Sequence, residues 1–273
     1  MISEATQAVI THYERRHAFR AGVFGEQPYA NYGYWTRPDL TLEQASEALT
    51  DLVAAAAGLG KGDKVLDVGC GYGAGAVKLV KRYEVDSVTG IDVTPVRIAS
   101  GQDYIAEHGV ADRITLQEGD ATAMPFSDAG FQKLVSVECA FHFDTREVFL
   151  QEAARVLVPG GTLALTDIIP RRGVDPAAYL TGGITTQSQV CLDMPANAYD
   201  ADVYAEHLRK AGFEAVRIES LLEWTRIPFA EALARVAAAS EGERAEQLSR
   251  MARRIRQLIE LGEDYVLVTA RRR

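Results

Sequence analysis

The sequence predicts an α/β fold built on a doubly wound, mostly parallel sheet, and two observations carry that prediction. The first is the run from Val65 to Gly75, in which a short apolar strand gives way to alternating glycines and then to a helical-looking segment, Ala76 to Arg82. Valine and leucine suit a parallel strand covered on both faces, while glycine takes positive φ and lets backbone approach a ligand with no Cβ in the way. The second is the recurrence of apolar strands between helical stretches: Ser87 to Asp92, Arg113 to Glu118, a fourth strand ending just before Glu138, and Leu163 to Ile169. Strand, glycine loop and helix N-terminus in succession present a nucleoside cofactor at the carboxyl edge of an open sheet.

Which cofactor turns on Asp67. Gly69-x-Gly71-x-x-Ala74 also satisfies the dinucleotide fingerprint, with Asp92 at about the 20-residue separation of a ribose-binding acid. A carboxylate placed just before the first glycine repels a pyrophosphate but attracts an ammonium group, and S-adenosylmethionine carries that ammonium. The plainer alternative is that Asp67 only hydrogen-bonds its own loop. Asp92 suits a ribose diol or a helix cap. Gly119-Asp120-Ala121, after the third strand, places a carboxylate beside an adenine amino group or simply makes a turn. Val158-Pro159-Gly160-Gly161-Thr162 reads as a turn entering the strand Leu163 to Ile169.

The outer elements follow from periodicity. A helix is expected from about Glu4 to Phe19, then an aromatic loop holding Tyr29, Tyr32, Tyr34 and Trp35, then a helix from about Leu42 to Leu59. Beyond Ile169, Pro170-Arg171-Arg172-Gly173 and a polar stretch with Thr181-Gly182-Gly183 form a candidate lid. Helical spacing resumes at Ala201 to Ala211, alternation at Ala215 to Glu219 gives a strand, Pro228 to Leu261 reads as a long broken helical region, and Tyr265 to Thr269 is the last strand.

Composition narrows the function. The chain has 273 residues and is 47% hydrophobic, enough for a sizeable core in one elaborated domain. Its net charge of -9, with 38 acidic against 29 basic residues, argues against a nucleic-acid partner. The cluster Arg253, Arg254 and Arg256 and the run Arg271 to Arg273 read as a solvated helix face and a basic tail. The cysteines, Cys70, Cys139 and Cys191, are odd in number and far apart, fitting neither a disulfide framework nor a zinc pattern, so no metal is expected. No segment reaches the roughly 18 apolar residues of a membrane span. Met1 to Glu14 lacks a secretory signal's plan, so a cytoplasmic location is the expectation.

Taken in order, these motifs resemble the class I S-adenosylmethionine-dependent methyltransferases, over about Asp63 to Ile169. Tyr29 to Trp35 and Glu138 to Arg146 are similar to the small-molecule branch, which includes natural-product enzymes such as the rebeccamycin sugar O-methyltransferase. The resemblance implies a Rossmann-like, seven-stranded sheet with one antiparallel strand near its edge, and helical lid insertions. It divides the chain into an amino-terminal helical lid (1–60), a cofactor-binding core (61–170), and remaining strands with helical cap insertions (171–273). It implies S-adenosyl-L-methionine as cofactor: Asp67 with Gly69, Gly71 and Gly73 at the methionine end, Asp92 at the ribose, Asp120 and Ala121 at the adenine. A tyrosine of the aromatic loop, Tyr34, would reach the cofactor carboxylate. Gly75 is one glycine more than the pattern has.

Methyl transfer is an in-line displacement, so the protein must chiefly align a nucleophile, and a hydroxyl acceptor gains further from a base within hydrogen-bond reach. In the sugar O-methyltransferases that the chain resembles, a histidine of the loop after the fourth strand works with an aspartate on the fifth. His142 and Asp167 match those places, although Phe141 stands where some relatives have a second histidine. Glu138, at its strand end, is the third catalytic candidate. Tyr179, Gln187 and Met194 lie in the lid and can shape specificity. The expected partner is a small-molecule acceptor of secondary metabolism, methylated on oxygen slightly ahead of nitrogen or an indole-type carbon. A module that binds the cofactor without transfer is the alternative from another class. A monomer or homodimer is expected.

Overall fold

The computed structural model describes residues 2–18, 28–183 and 195–273. Gln187, Cys191 and Met194, and the expected helix end at Phe19, lie outside the described residues.

Two helices precede the sheet, α1 (Glu4–Ala18) and α2 (Leu42–Ala57). A capping box starts α2: Thr41 accepts from the Gln44 amide, and the Gln44 side chain accepts from the Thr41 amide. Gly58, at φ 62°, ends it in the left-handed conformation. The core alternates β1 (Lys64–Val68), α3 (Ala74–Tyr83), β2 (Ser87–Asp92), α4 (Pro95–Glu107), β3 (Ile114–Glu118) and β4 (Phe131–Val137). It continues through α5 (Arg146–Val156), β5 (Leu157–Pro170), α6 (Pro176–Gly183), α7 (Ala201–Lys210), β6 (Phe213–Ser220), α8 (Arg226–Ala238), α9 (Gly242–Glu260) and β7 (Glu263–Arg272).

The seven strands lie in the order β3-β2-β1-β4-β5-β7-β6, and only β7 runs against its neighbours. Chain order reverses between β1 and β4, which opens a crevice at their carboxyl ends. Asp67 of β1 stands beside Gly90 of β2 and Val135 of β4 at that crevice.

Each face of the sheet is covered. Leu49, Val53, Val77 and Ile98 bring α2, α3 and α4 onto one side. Phe149, Leu150, Tyr204 and Leu208 bring α5 and α7 onto the other. Burial of a side chain of this size contributes about 1.5–3 kcal/mol. A separate cluster packs α8 and α9 on Trp35 through Phe229, Leu233, Leu248 and Ile255. Among the described residues no helix is long and apolar enough to cross a membrane, and no group of acids, histidines and cysteines is arranged to hold a metal.

Two expectations are adjusted. The expected turn at Val158 to Thr162 stays within β5: pairing with β4 passes from Phe131–Leu157 to Lys133–Thr162, with the intervening residues bulged around Gly160 at φ 79°. The helical region after Pro228 starts earlier, at Arg226, and divides between Ala238 and Gly242.

Candidate active site

The glycine loop forms the floor of the crevice. Gly69 and Gly71 take φ 77° and 57°. A Cβ at Gly69 would lie 2.2 Å from the Cys139 sulfur, and one at Gly71 would lie 2.3 Å from the Arg97 guanidinium. Both line an open cavity, as does Gly75. Gly73 does not line it: it caps α3 in the left-handed conformation at φ 75°, which is what requires glycine there, and a Cβ would also meet Leu116 at 2.9 Å.

Three acids stand in chain order at the ends of three adjacent strands. Asp67, 7% exposed, lines the first cavity and has no hydrogen-bond or ion-pair partner among the described residues. Burial, with Asp92 nearby, pushes its carboxyl up to about 7. A buried acid left without a partner in a cavity wall is suited to a cationic ligand. Asp92 is already oriented: Oδ2 accepts from the Gly71 amide at 3.0 Å, Oδ1 from the Thr94 amide at 2.9 Å, and Arg97 pairs with it at 3.2 Å. Asp120 turns the chain by accepting from the amide and hydroxyl of Thr122, so the turn reading holds. With Ala121 it lines a second open cavity that shares Tyr13, Gly69, Arg97 and Cys139 with the first.

The two cavities together make an elongated cleft with an unpartnered acid at one end and an apolar wall of Ile91, Ala121 and Phe143 at the other. That donor set fits S-adenosylmethionine, whose ammonium, ribose and adenine differ in the same order.

The cleft is roofed by α1. Tyr13 lines both cavities, its hydroxyl lies 2.9 Å from His142 Nε2, and the Arg97 guanidinium sits 4.5 Å over its ring. His17 reaches the Tyr72 hydroxyl at 3.1 Å. In the aromatic loop, Tyr29 and Asn31 line the first cavity. Tyr34 does not: its ring packs against Trp224 and the main core, and its amide donates to the Ala45 carbonyl.

The catalytic candidates separate. Glu138 follows β4 at φ 55°, a conformation costly for a residue with a Cβ. It lines the first cavity, and its Oε1 accepts from the Tyr32 amide and the Tyr265 hydroxyl, each at 2.8 Å. Burial raises its carboxyl to about 7 against these donors and the more distant Arg226 and Arg16. His142 lines the second cavity, with Asp120 and Ala121, and its Nδ1 is buried and without a hydrogen bond. Burial, then His12, Arg97 and Arg16, lower it to about 3, so it is neutral at working pH.

Asp167 is not brought to His142. It is fully buried, 2.8 Å from Arg146 Nε, and accepts from Tyr204 at 3.0 Å and the Ile168 amide at 2.9 Å. Burial pushes its carboxyl above the usual range while Arg146 opposes. It lines neither cavity, so the expected histidine–aspartate pair is corrected: Arg146, from the first turn of α5, takes the aspartate for the core.

Arg97, Tyr13 and Tyr265 are site residues that sequence reasoning missed. Arg97 left a signal, a cation in the first turn of the helix that follows Asp92. Tyr265 left none, because its reach to Glu138 depends on the register of β7 against β5.

Fold and cleft together define a nucleoside-cofactor enzyme of methyltransferase architecture. A methyltransferase-domain family model matches residues 65–161. The chain is 34% identical to the erythromycin 3''-O-methyltransferase of Saccharopolyspora erythraea over 208 residues, covering 72% of this chain and 65% of that enzyme. It is 34% identical to the 27-O-demethylrifamycin SV methyltransferase of Amycolatopsis mediterranei over 205 residues, covering 75% and 74%. The solved structure of the cyclase SpnF is similar with TM-score 0.77 and 27% identity, covering all of this chain and 97% of that one. The chain belongs to the S-adenosylmethionine-dependent methyltransferases.

Proposed function

We propose that this enzyme methylates a hydroxyl of a small secondary metabolite, with Glu138 as the base. The observation that carries the reading is Glu138 itself, a buried carboxylate on a strained strand end, in the wall of the cavity that also holds Asp67. A hydroxyl is a poor nucleophile until its proton is taken, and a carboxyl titrating near 7 is matched to that task. The two enzymes named above are both called for methylation at oxygen, which supports oxygen over nitrogen or carbon.

Asp67 would hold the cofactor ammonium, Asp92 the ribose, and Asp120 with Ala121 the adenine. When bound, S-adenosylmethionine supplies an electrophilic methyl group on a sulfonium centre. Glu138 takes the acceptor's proton as the oxygen attacks. His142, neutral and bonded to Tyr13, holds the roof in place. On this reading α1, α2, α8 and α9 cover the acceptor.

The test is incubation with methyl-labelled S-adenosylmethionine and a panel of polyhydroxylated polyketides and their glycosides. Label recovered on oxygen supports the reading. Label on carbon or nitrogen, or binding of the cofactor with no labelled product across the panel, contradicts it.

A further inference from the structure

Glu138 is gripped at one oxygen only. The Tyr32 amide and the Tyr265 hydroxyl both donate to Oε1, each at 2.8 Å. Oε2 has no hydrogen-bond partner among the described residues and is not fully enclosed, and Glu138 lines the first cavity, so this oxygen faces it. The two donors are themselves fixed. The Tyr32 segment is pinned by Gly33 against Ala45, by Trp35 Nε1 donating to the Tyr32 carbonyl at 2.8 Å, and by the Arg226 guanidinium 4.3 Å over the Tyr32 ring. Tyr265, fully buried in β7 opposite Ile168 of β5, meets the Tyr32 ring edge-on at 6.4 Å.

We infer that Tyr265 is a positioning residue for methyl transfer: its hydroxyl holds Oε1 of Glu138 so that Oε2 is turned to the acceptor's proton. The inference rests on Glu138 being the base. A phenol O–H aimed at a carboxylate favours its ionised form, so Tyr265 also sets the pH at which Oε2 can accept. The other groups facing Glu138 are Arg16 from α1, Arg226 from α8, Tyr32 from the aromatic loop, and Cys139 beside it. Glu263 and Asp67 stand beyond them, on β7 and β1. Of the direct donors only Tyr265 is a side chain, so it is the one that substitution can remove without moving backbone.

The test is a carboxyl titration followed by NMR in protein labelled at glutamate side-chain carbons, with protons as the only probe and the Glu138→Gln spectrum assigning the resonance. Tyr265→Phe should raise the Glu138 midpoint by about one pH unit, since one hydrogen bond to a charged group is worth roughly tenfold or more, with S-adenosylmethionine affinity within about twofold. A difluorinated tyrosine in place of Tyr265, a stronger donor of the same shape, should move the midpoint down. Opposite shifts are not what a merely structural ring would give. An unmoved midpoint in both variants, with Glu138→Gln inactive in methyl transfer, overturns the inference alone. Wild-type turnover in Glu138→Gln overturns the base assignment and the role of Tyr265 with it.

Discussion

Tyr13 and His142 hold the two sides of the cofactor cleft together through one hydrogen bond of 2.9 Å between a helix roof and the turn after β4. The bond sits where the two cavities meet, beneath Arg97. Tyr13→Phe should therefore weaken S-adenosylmethionine binding by about five- to tenfold, the worth of one neutral hydrogen bond, read by calorimetry. The acid limb of the turnover profile should not move, because His142 is already neutral there. Unchanged affinity would detach the roof from cofactor binding.

Asp67 gives a prediction with opposite signs in the free and bound protein. Its carboxyl titrates near 7 in the fold and near 3.9 in an unfolded chain. The folded state therefore holds the extra proton between those values, and stability from this group is full below about 4 and is lost as pH rises through about 7. Asp67→Asn should match the wild-type melting temperature at pH 4 and exceed it increasingly up to pH 8 without cofactor. The same variant should bind S-adenosylmethionine about 10- to 100-fold more weakly, having lost a charged partner for the ammonium. A melting difference that is flat with pH would mean Asp67 has a counter-charge.

Asp92 and Arg97 predict an unequal pair. Removing the Asp92 carboxylate frees the Gly71 and Thr94 amides and leaves buried Arg97 without its ion pair, in addition to losing the proposed ribose acceptor. Removing Arg97 leaves Asp92 still oriented by two amides. Asp92→Ala should raise the cofactor Kd about 10- to 100-fold, and Arg97→Met by less than about tenfold. Equal losses would show that the guanidinium itself holds the cofactor.

The sequence displayed the cofactor end of this site far better than the catalytic end. Asp67, Asp92 and Asp120 could be placed because each ends a parallel strand, and strand ends in this fold share one edge. Gly73 and Tyr34 belong to the same segments but line neither cavity: Gly73 caps α3, and the Tyr34 ring packs against Trp224. His142 and Asp167 occupied the expected positions in the chain, while their partners, Tyr13 and Arg146, come from helices whose docking leaves no mark in spacing. Glu138 ranked behind His142 in the sequence, because the two donors that meet at one of its oxygens come from elements distant in the chain.

Asp167 supplies the last prediction, one of stability. Arg146 and Asp167 are both fully buried, and the guanidinium also donates to the Asn197 carbonyl at 2.8 Å and lies 4.8 Å over each of the Tyr199 and Tyr204 rings. Removing one partner of such a pair strands the other charge and costs about 3–5 kcal/mol, whereas replacing both with apolar groups costs far less. Asp167→Asn should lower the unfolding free energy by that amount, with little change in the cofactor affinity of the folded fraction. Asp167→Leu combined with Arg146→Met should recover much of the loss. Denaturant unfolding of the single and double variants checks the expectation. A single variant that keeps wild-type stability but loses turnover would return Asp167 to the catalytic machinery.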